Sequence, residues 1–124
     1  MNNPDLPSPI ERLLERLQRE NPEIRPYGED DWDWTWADEG MELLDGGDTL
    51  LAEKKFEELI VAQPEHPDGY EGLALVYERL GRKAEAVVLM RHAVHLAQKL
   101  VERDWLDADV LEAIVQEQRR LEQA

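Results

Sequence analysis

An internal repeat restricts the folds open to this 124-residue sequence more than any other property does. Compared with itself at an offset of 34 residues, the chain keeps size class and order at seven pairs of positions. These pairs are Trp36/Tyr70, Gly40/Ala74, Leu43/Tyr77, Gly47/Gly81, Ala52/Ala86, Phe56/Met90 and Leu59/Ala93. Two unrelated helices seldom agree at both their small and their large positions. The period therefore predicts a helix–turn–helix hairpin that is built twice, over residues 33–66 and 67–100.

The paired positions also predict the core of the two hairpins. Small residues let helix backbones approach closely, and large residues fill the space between neighbouring hairpins. Gly46, Gly47 and Gly81 suit tight turns because glycine adopts positive φ at little steric cost. Each hairpin leaves one apolar face uncovered, so terminal helices are needed as caps. The predicted core is Trp36, Gly40, Leu43, Ala52, Phe56, Leu59, Tyr70, Ala74, Tyr77, Ala86, Met90 and Ala93.

Residues 33–66 and 67–100 resemble two tetratricopeptide repeats, over about half of the chain. Trp36, Gly40 and Leu43 match the aromatic, small and large positions of the family's first helix. The second helix of the first copy matches at Ala52, Phe56 and Pro64. The second copy matches at Tyr70, Leu73, Ala74, Tyr77, Ala86, Met90 and Ala93.

Three positions depart from the family's pattern. Glu39 stands where the first repeat should have a large apolar residue, and Thr49 where a large residue often follows the turn. Gln98 replaces the closing proline, so the last helix of the second repeat need not end there. The predicted fold class is all-α: a short helical-repeat solenoid of two hairpins, with an N-terminal helix and a C-terminal capping helix.

The first 31 residues are predicted to form a tail, a helix over 9–20 and an acidic, proline-containing linker. Ser8 suits the cap of this helix, Pro9 its first position and Glu11 a capping box. Its apolar stripe is Ile10, Leu13, Leu14 and Leu17. Three alternatives are open for this helix: it caps the repeats, fills a groove between their helices, or stays free and pairs with a second copy.

Residues 32–124 are predicted to form the repeat domain, closed by a capping helix over about 106–123. Asp104 or Asp107 suits the cap of that helix. Its apolar positions lie on one side, as a terminal helix with a polar outer face requires. Those positions are Val110, Leu111, Ile114, Val115 and Leu121.

The composition disfavours several classes of protein. The chain has 14 basic and 29 acidic residues, and its net charge of −15 repels nucleic acid and anionic membranes. It contains no cysteine, no run of 18 apolar residues and no visible signal peptide, so a cytoplasmic location is expected.

The sequence does not favour an enzyme. It has no glycine-rich phosphate loop, and Ser8 is its single serine. His92 and His95 lie at a spacing that can share a metal, but the only other histidine, His66, is in a preceding loop. We therefore expect no catalytic residue, no cofactor and no metal, with a zinc enzyme as a remote alternative.

Residues 29–53 contain ten acidic residues, no lysine or arginine, and three tryptophans. If the helix begins near Trp32, then Trp32 and Trp36 share a face and Trp32 packs at the helix start. Trp34 then points away into solvent. It is either an interface anchor for a basic partner or an exposed aromatic residue without function.

The resemblance implies a binding surface, because tetratricopeptide arrays hold peptides on the concave face formed by their first helices. In this sequence the face corresponds to Trp34, Ala37, Met41, Leu44, Asp45, Asp68, Glu71, Leu75 and Glu78. Some members clamp a carboxyl terminus with lysine and asparagine, but residues 37, 41, 71 and 75 are alanine, methionine, glutamate and leucine. An apolar or basic segment therefore fits better than an acidic tail.

Two functions remain as hypotheses. The first is an interaction module that binds a segment of another protein, with a chaperone as one form of it. The second is a structural subunit that forms homodimers or larger homo-oligomers and has no external ligand.

Overall fold

The computed structural model describes residues 7–28, 31–33 and 35–123, and over these residues the protein is all-α, as predicted. The described part contains six helices and no strand. The helices are α1 (Ser8–Glu20), α2 (Trp36–Asp45), α3 (Thr49–Ala62), α4 (Pro67–Arg79), α5 (Lys83–Glu102) and α6 (Ala108–Gln123). In this part of the chain, no helix has the length and apolar character that crossing a bilayer requires.

The α2–α3 and α4–α5 hairpins close in the same way. Gly47 and Gly81, 34 residues apart, both have positive φ, at 89° and 78°. In the first turn the N–H of Asp48 donates to the carbonyl of Leu43 (2.9 Å). In the second, the N–H of Arg82 donates to the carbonyl of Tyr77 (2.8 Å). These six-residue closures satisfy carbonyls that each helix end leaves open.

The hairpins pack through a shared core. Helix α2 contacts α3 and α4, α3 contacts α4, and α5 packs against α4 and α6. The ring of Phe56 lies so close to α2 and α4 that a Cβ at Gly40 would approach it to 2.5 Å, and one at Gly72 closer still. Ten of the twelve predicted core residues are buried, whereas Trp36 and Leu43 are half-buried.

The outer face of the first hairpin is polar. Glu39 and Lys55 form an ion pair of 2.7 Å, and the Lys55 ammonium lies 5.6 Å from the centre of the Trp36 ring. The positions 34 residues later are Leu73 and Leu89, and both are buried. The charged pair therefore replaces two apolar contacts, which accounts for Glu39 and for the partial exposure of Trp36.

Helix α1 packs against α3 and α5, the second helices of the two hairpins. Ile10, Leu14 and Leu17 are buried in this contact. The predicted Ser8 cap is wrong, because Ser8 is the first helical residue and its side chain makes no capping bond. The Pro7 carbonyl instead accepts from the N–H groups of Ile10 and Glu11, both at 3.0 Å.

The segment before α2 is not helical from Trp32, contrary to prediction; α2 begins at Trp36. The carboxylate of Asp33 accepts hydrogen bonds from the backbone N–H (2.9 Å) and the hydroxyl (2.7 Å) of Thr35. Gln63 at the end of α3 accepts from the N–H of Asp33. These bonds hold the chain in a turn. An aspartate carboxylate can accept from a nearby backbone N–H that would otherwise be available to a helix.

Trp32 is buried, and its ring contacts aromatic side chains that lie far from it in sequence. Its ring meets the His66 ring edge-on at 4.8 Å and the Trp105 ring at 6.1 Å. The preceding linker also lies on the hairpins, since the N–H of Tyr27 donates to the carbonyl of Ala62 (2.6 Å).

Helix α5 continues through Gln98 to Glu102, which the absence of a proline at residue 98 permits. It ends in a turn at Asp104, which has φ of 60°, and the N–H of Trp105 donates to the carbonyl of Leu100 (2.8 Å). Asp104 therefore ends α5. Asp107 precedes α6, and its carbonyl accepts from Val110 and Leu111.

Candidate functional site

A groove of about 590 Å³ lies where α2 and α4, the first helices of the two hairpins, face α6. Six of the predicted binding residues line it: Met41, Leu44, Asp45, Glu71, Leu75 and Glu78. The remaining lining residues are Arg79, Ala113, Gln116, Glu117 and Arg120. Two walls of the groove are therefore formed by residues that the resemblance implies for a binding face, and the third is formed by α6, which was predicted only as a cap.

Helical spacing places the residues of the third wall on one face of α6. Gln116 and Glu117 lie three and four residues after Ala113, and Arg120 lies four and three residues after them, so all four share one face of α6. Ile114 and Leu121, which are buried, belong to a neighbouring face. Periodicity alone marks both faces but does not say which part of the molecule the polar one meets.

Two of the predicted binding residues that the structure describes, Ala37 and Asp68, do not line the groove. Ala37 is half-buried one turn before Met41 and packs against the core. Asp68 lies in the first turn of α4, before Glu71. Trp34 lies outside the described residues, so its role as an interface anchor stays a prediction.

The apolar part of the groove comes from α2 and α4. Met41 and Leu75 are half-buried, so each presents surface that a ligand can cover. Leu44 is only 2% exposed and belongs to the core more than to the surface. Its carbonyl accepts a hydrogen bond from Nη1 of Arg79 (2.9 Å), which ties the end of α2 to α4.

A network of charges crosses the groove between α4 and α6. Nη1 and Nη2 of Arg120 lie 2.6 and 2.9 Å from the two carboxylate oxygens of Glu78. Nη2 also donates to Glu117 (2.7 Å). The hydrogen bonds from Arg120 lower the pKa of Glu78, and both of its carboxylate partners raise the pKa of the guanidinium.

Glu71 differs from the other glutamates of the groove. Within the described residues it has no hydrogen-bond or ion-pair partner. Burial, then the nearby carboxylates of Asp68 and Glu117, raise its pKa to about 7. Burial and Asp38 raise the pKa of Asp68 to about 6. The groove therefore contains a partly desolvated carboxylate that no cation of the described chain neutralises.

His66 and Asp68 do not form an ordinary ion pair, although Nδ1 and a carboxylate oxygen are 3.7 Å apart. Nδ1 of His66 accepts a hydrogen bond from the backbone N–H of Asp68 (3.1 Å), so that nitrogen carries no proton. Burial lowers the pKa of His66 to about 4. The imidazole therefore acts as the N-cap of α4 in its neutral form.

The three histidines do not come together as a ligand set. The His92 and His95 rings are 6.1 Å apart on α5, whereas His66 packs against Trp32. His92 is 3% exposed, meets the Tyr70 ring edge-on at 4.7 Å and has its pKa lowered to about 4 by burial. Among the residues that the structure describes, no group of three or more histidines and carboxylates is arranged to hold a metal ion.

Helix α1 does not occupy the groove. It packs on α3 and α5, and side chains of α1 and of both hairpins line a second cavity of about 730 Å³ there. The charges around that cavity include internal pairs, such as Arg16 with Glu57 (3.7 Å) and Arg82 with Glu85. None of the eight predicted binding residues that the structure describes lines it.

The fold defines the class of the protein as an all-α chain with two hairpins that close in the same way and a sixth helix that borders a groove. Comparison with protein-family models, curated proteins and solved structures finds no match to this chain. Membership of the tetratricopeptide family therefore stays a prediction that depends on the repeated residues.

Proposed function

We propose that this protein is an interaction module that holds an apolar or basic segment of another protein in the groove between α2, α4 and α6. The observation that carries the proposal is an open groove in which the half-buried Met41 and Leu75 lie beside the unneutralised Glu71. Binding sites of this kind combine apolar walls with a few polar groups that fix orientation.

The apolar residues supply adaptable contacts. Methionine is unbranched and polarizable, so Met41 can fit different side chains. Leu75 lies one turn after Glu71 on α4, which places apolar and acidic contacts next to each other along one helix face. A segment that combines apolar and basic residues would cover both.

The charge of the whole chain supports the same partner. A net charge of −15 attracts basic segments over distances of about one Debye length, roughly 8 to 10 Å at ordinary salt. This attraction mainly raises the rate of association. Residues 37, 41, 71 and 75 lack the cations that would clamp a carboxylate, which argues against an acidic tail.

Tetratricopeptide-like architecture, a cytoplasmic location and chaperone activity belong to the same proposal. The matching turns at Gly47 and Gly81 support the first of them. The proposal involves no catalytic step, cofactor, metal, nucleic acid or membrane.

A capture experiment with two matched variants tests the proposal. The tagged protein and its Met41→Glu and Leu50→Glu variants are used to isolate partners from cells, after circular dichroism shows that all three are helical. Leu50 is 73% exposed and does not line the groove. We expect one partner to bind the wild type and Leu50→Glu but not Met41→Glu, and to bind less tightly as salt rises. Equal capture by all three proteins would contradict the proposal.

The alternative of a homo-oligomeric subunit has its own measurement. The apolar stripe of α1 is buried against the hairpins of its own chain, so it is not available to a second copy. Among the large apolar residues of the described part, Leu50 and Leu51 are the most exposed. Light scattering at high protein concentration separates the hypotheses, since a monomer removes the second one. A dimer that Leu50→Glu dissociates would support it.

A further inference from the structure

This inference rests on the proposed function and concerns the chemistry of the partner. We infer that the groove binds a lysine or arginine side chain of the partner segment, with its aliphatic stem against Met41 and Leu75 and its cationic head on Glu71. The proposal names one occupant, a basic side chain within a peptide segment, and it assigns Glu71 as the residue that selects it.

The order of residues along α4 matches such a side chain. Glu71, Leu75 and Glu78 are spaced by four and three residues and lie on one face of the helix. Met41 of α2 lines the same groove. A lysine or arginine has a hydrocarbon stem and a charged end, so it can bury the stem on Leu75 and Met41 while its head reaches a carboxylate.

The cations that line the groove are engaged elsewhere. They are Arg79, which donates to the carbonyl of Leu44 (2.9 Å), and Arg120, which binds Glu78 and Glu117. The lining carboxylates therefore divide into Glu78 and Glu117, which share the Arg120 guanidinium, Asp45, which is exposed, and Glu71. Glu71 is the one that gains most from an added cation.

The Arg120 contacts show what the groove accepts. A guanidinium held by two carboxylates already lies at the α4–α6 side. Groups of the same chemistry on a partner would meet Glu71 about two helical turns away from Glu78. An acidic segment would instead meet Asp45, Glu71 and Glu78, and a purely apolar one would bury Glu71 without a cation, which is unfavourable.

Binding of the cation should be coupled to the loss of a proton. Burial and two neighbouring carboxylates raise the pKa of Glu71 to about 7, so the side chain is mostly protonated below neutral pH. The groups that face it are Asp68, Glu78 and Arg79 of α4, Asp45 of α2, and Glu117 and Arg120 of α6. A basic ligand binds the ionised form, so affinity should rise as pH increases through about 7 and then level off.

Asp68 acts in the same direction. Its pKa is raised to about 6, and it lies one turn before Glu71 on α4, with Asp38 of α2 as the nearby charge. Its ionisation adds negative charge near the bound cation. The rise of affinity with pH should therefore extend below the titration of Glu71.

Selection from a library of random short peptides on phage tests the inference without presupposing a ligand. The full chain is used as the target at about pH 8 and at about pH 5.5. Synthetic versions of the selected peptides are then measured by fluorescence anisotropy against the wild type, Glu71→Gln, Glu42→Gln and Met41→Glu. Glu42 is exposed on α2 and does not line the groove, so it controls for the change in net charge.

We expect peptides selected at pH 8 to combine basic and apolar residues. Glu71→Gln should weaken them about tenfold, the loss of one charge-assisted contact, while Glu42→Gln leaves them nearly unchanged. Peptides that depend on Met41 but bind Glu71→Gln as tightly as wild type would overturn this inference and leave the proposed function standing. If no selected peptide depends on Met41, both fail.

Discussion

Arg120 of α6 and Glu78 of α4 form an ion pair with two hydrogen bonds, at 2.6 and 2.9 Å, across 42 residues of sequence. The pair joins the sixth helix to the first helix of the second hairpin. It therefore fixes one border of the groove, and because Arg120 also binds Glu117, this one guanidinium occupies two of the carboxylates that a basic ligand could use.

Arg120→Ala tests both roles. Because Arg120 and Glu78 are partly exposed, the free energy of unfolding should fall by about 1 kcal/mol or less. Glu78 and Glu117 then lose their cation, so basic peptides selected on the groove should bind more tightly. The exposed neighbour Arg119 provides a control of equal charge, and urea unfolding and anisotropy measure the two effects. If Arg119→Ala strengthens binding equally, only net charge is involved.

Glu71→Gln should stabilise the protein above neutral pH. The pKa of Glu71 is raised from 4.5 to about 7 in the folded state, so ionisation is easier in the unfolded chain. Wild-type stability from this group is complete below about pH 4.5 and is lost as pH rises through 7. The variant should gain about 1 to 3 kcal/mol relative to wild type between pH 5 and pH 8. Urea unfolding at both values measures the gain, and an equal difference at both would contradict the assignment.

His92→Leu should reduce the sensitivity of the fold to acid. Both ring nitrogens of His92 are buried without a hydrogen-bond partner in the described chain, and burial lowers its pKa from 6.5 to about 4. Stability from the neutral imidazole is present above pH 6.5 and is lost as pH falls towards 4. At pH 5 the variant should retain about 1 to 2 kcal/mol that the wild type loses relative to pH 8. Thermal unfolding at pH 5 and pH 8 measures this difference. Equal losses of stability in the wild type and in His92→Leu would contradict the prediction. His66, whose pKa is also about 4, keeps some acid sensitivity in the variant.

Asp104→Gly should stabilise the turn between α5 and α6. Asp104 has φ of 60°, a region that glycine adopts without the steric cost that a Cβ brings. We expect a gain of about 0.5 to 1 kcal/mol in the free energy of unfolding. Asp109→Gly, in the first turn of α6, should have the opposite sign, because it removes an acidic side chain that is favourable at a helix N-terminus and adds backbone freedom. Equal effects of the two changes would show that the turn conformation is not involved.

Most of the fold could be predicted from the repeat, because the repeat fixes side-chain size at positions 34 residues apart. Gly47 and Gly81 identify two turns that close in the same way, and Phe56 explains why Gly40 must be small. The absence of a closing proline at Gln98 also leaves α5 free to continue, and it ends at Glu102. Each of these features depends on packing within or between neighbouring helices, which periodicity reports directly.

The sequence failed where local hydrogen bonds decide. The tryptophan spacing predicted a helix from Trp32. Because the hydrogen bond between Asp33 and Thr35 holds a turn, α2 instead begins at Trp36. Ser8 was predicted to cap α1, but the Pro7 carbonyl closes that turn. Helical spacing cannot rank a side-chain bond against a backbone bond at a helix end.

The candidate site was half predictable. Its α2 and α4 walls follow from the repeat, whereas the α6 wall depends on a contact between residues 78 and 120 that no local pattern encodes. The ionisation state of Glu71 depends on burial by three helices. It could not have been read from a segment in which acidic residues are common.

The charged pair on the first hairpin bears on how this protein could be lengthened by engineering. Glu39 and Lys55 occupy positions that hold Leu73 and Leu89 in the second hairpin. A further hairpin fused upstream would meet a partly exposed ion pair instead of an apolar surface. Any such fusion would first need leucines at both positions. In the unfused protein those leucines would be exposed and would favour self-association.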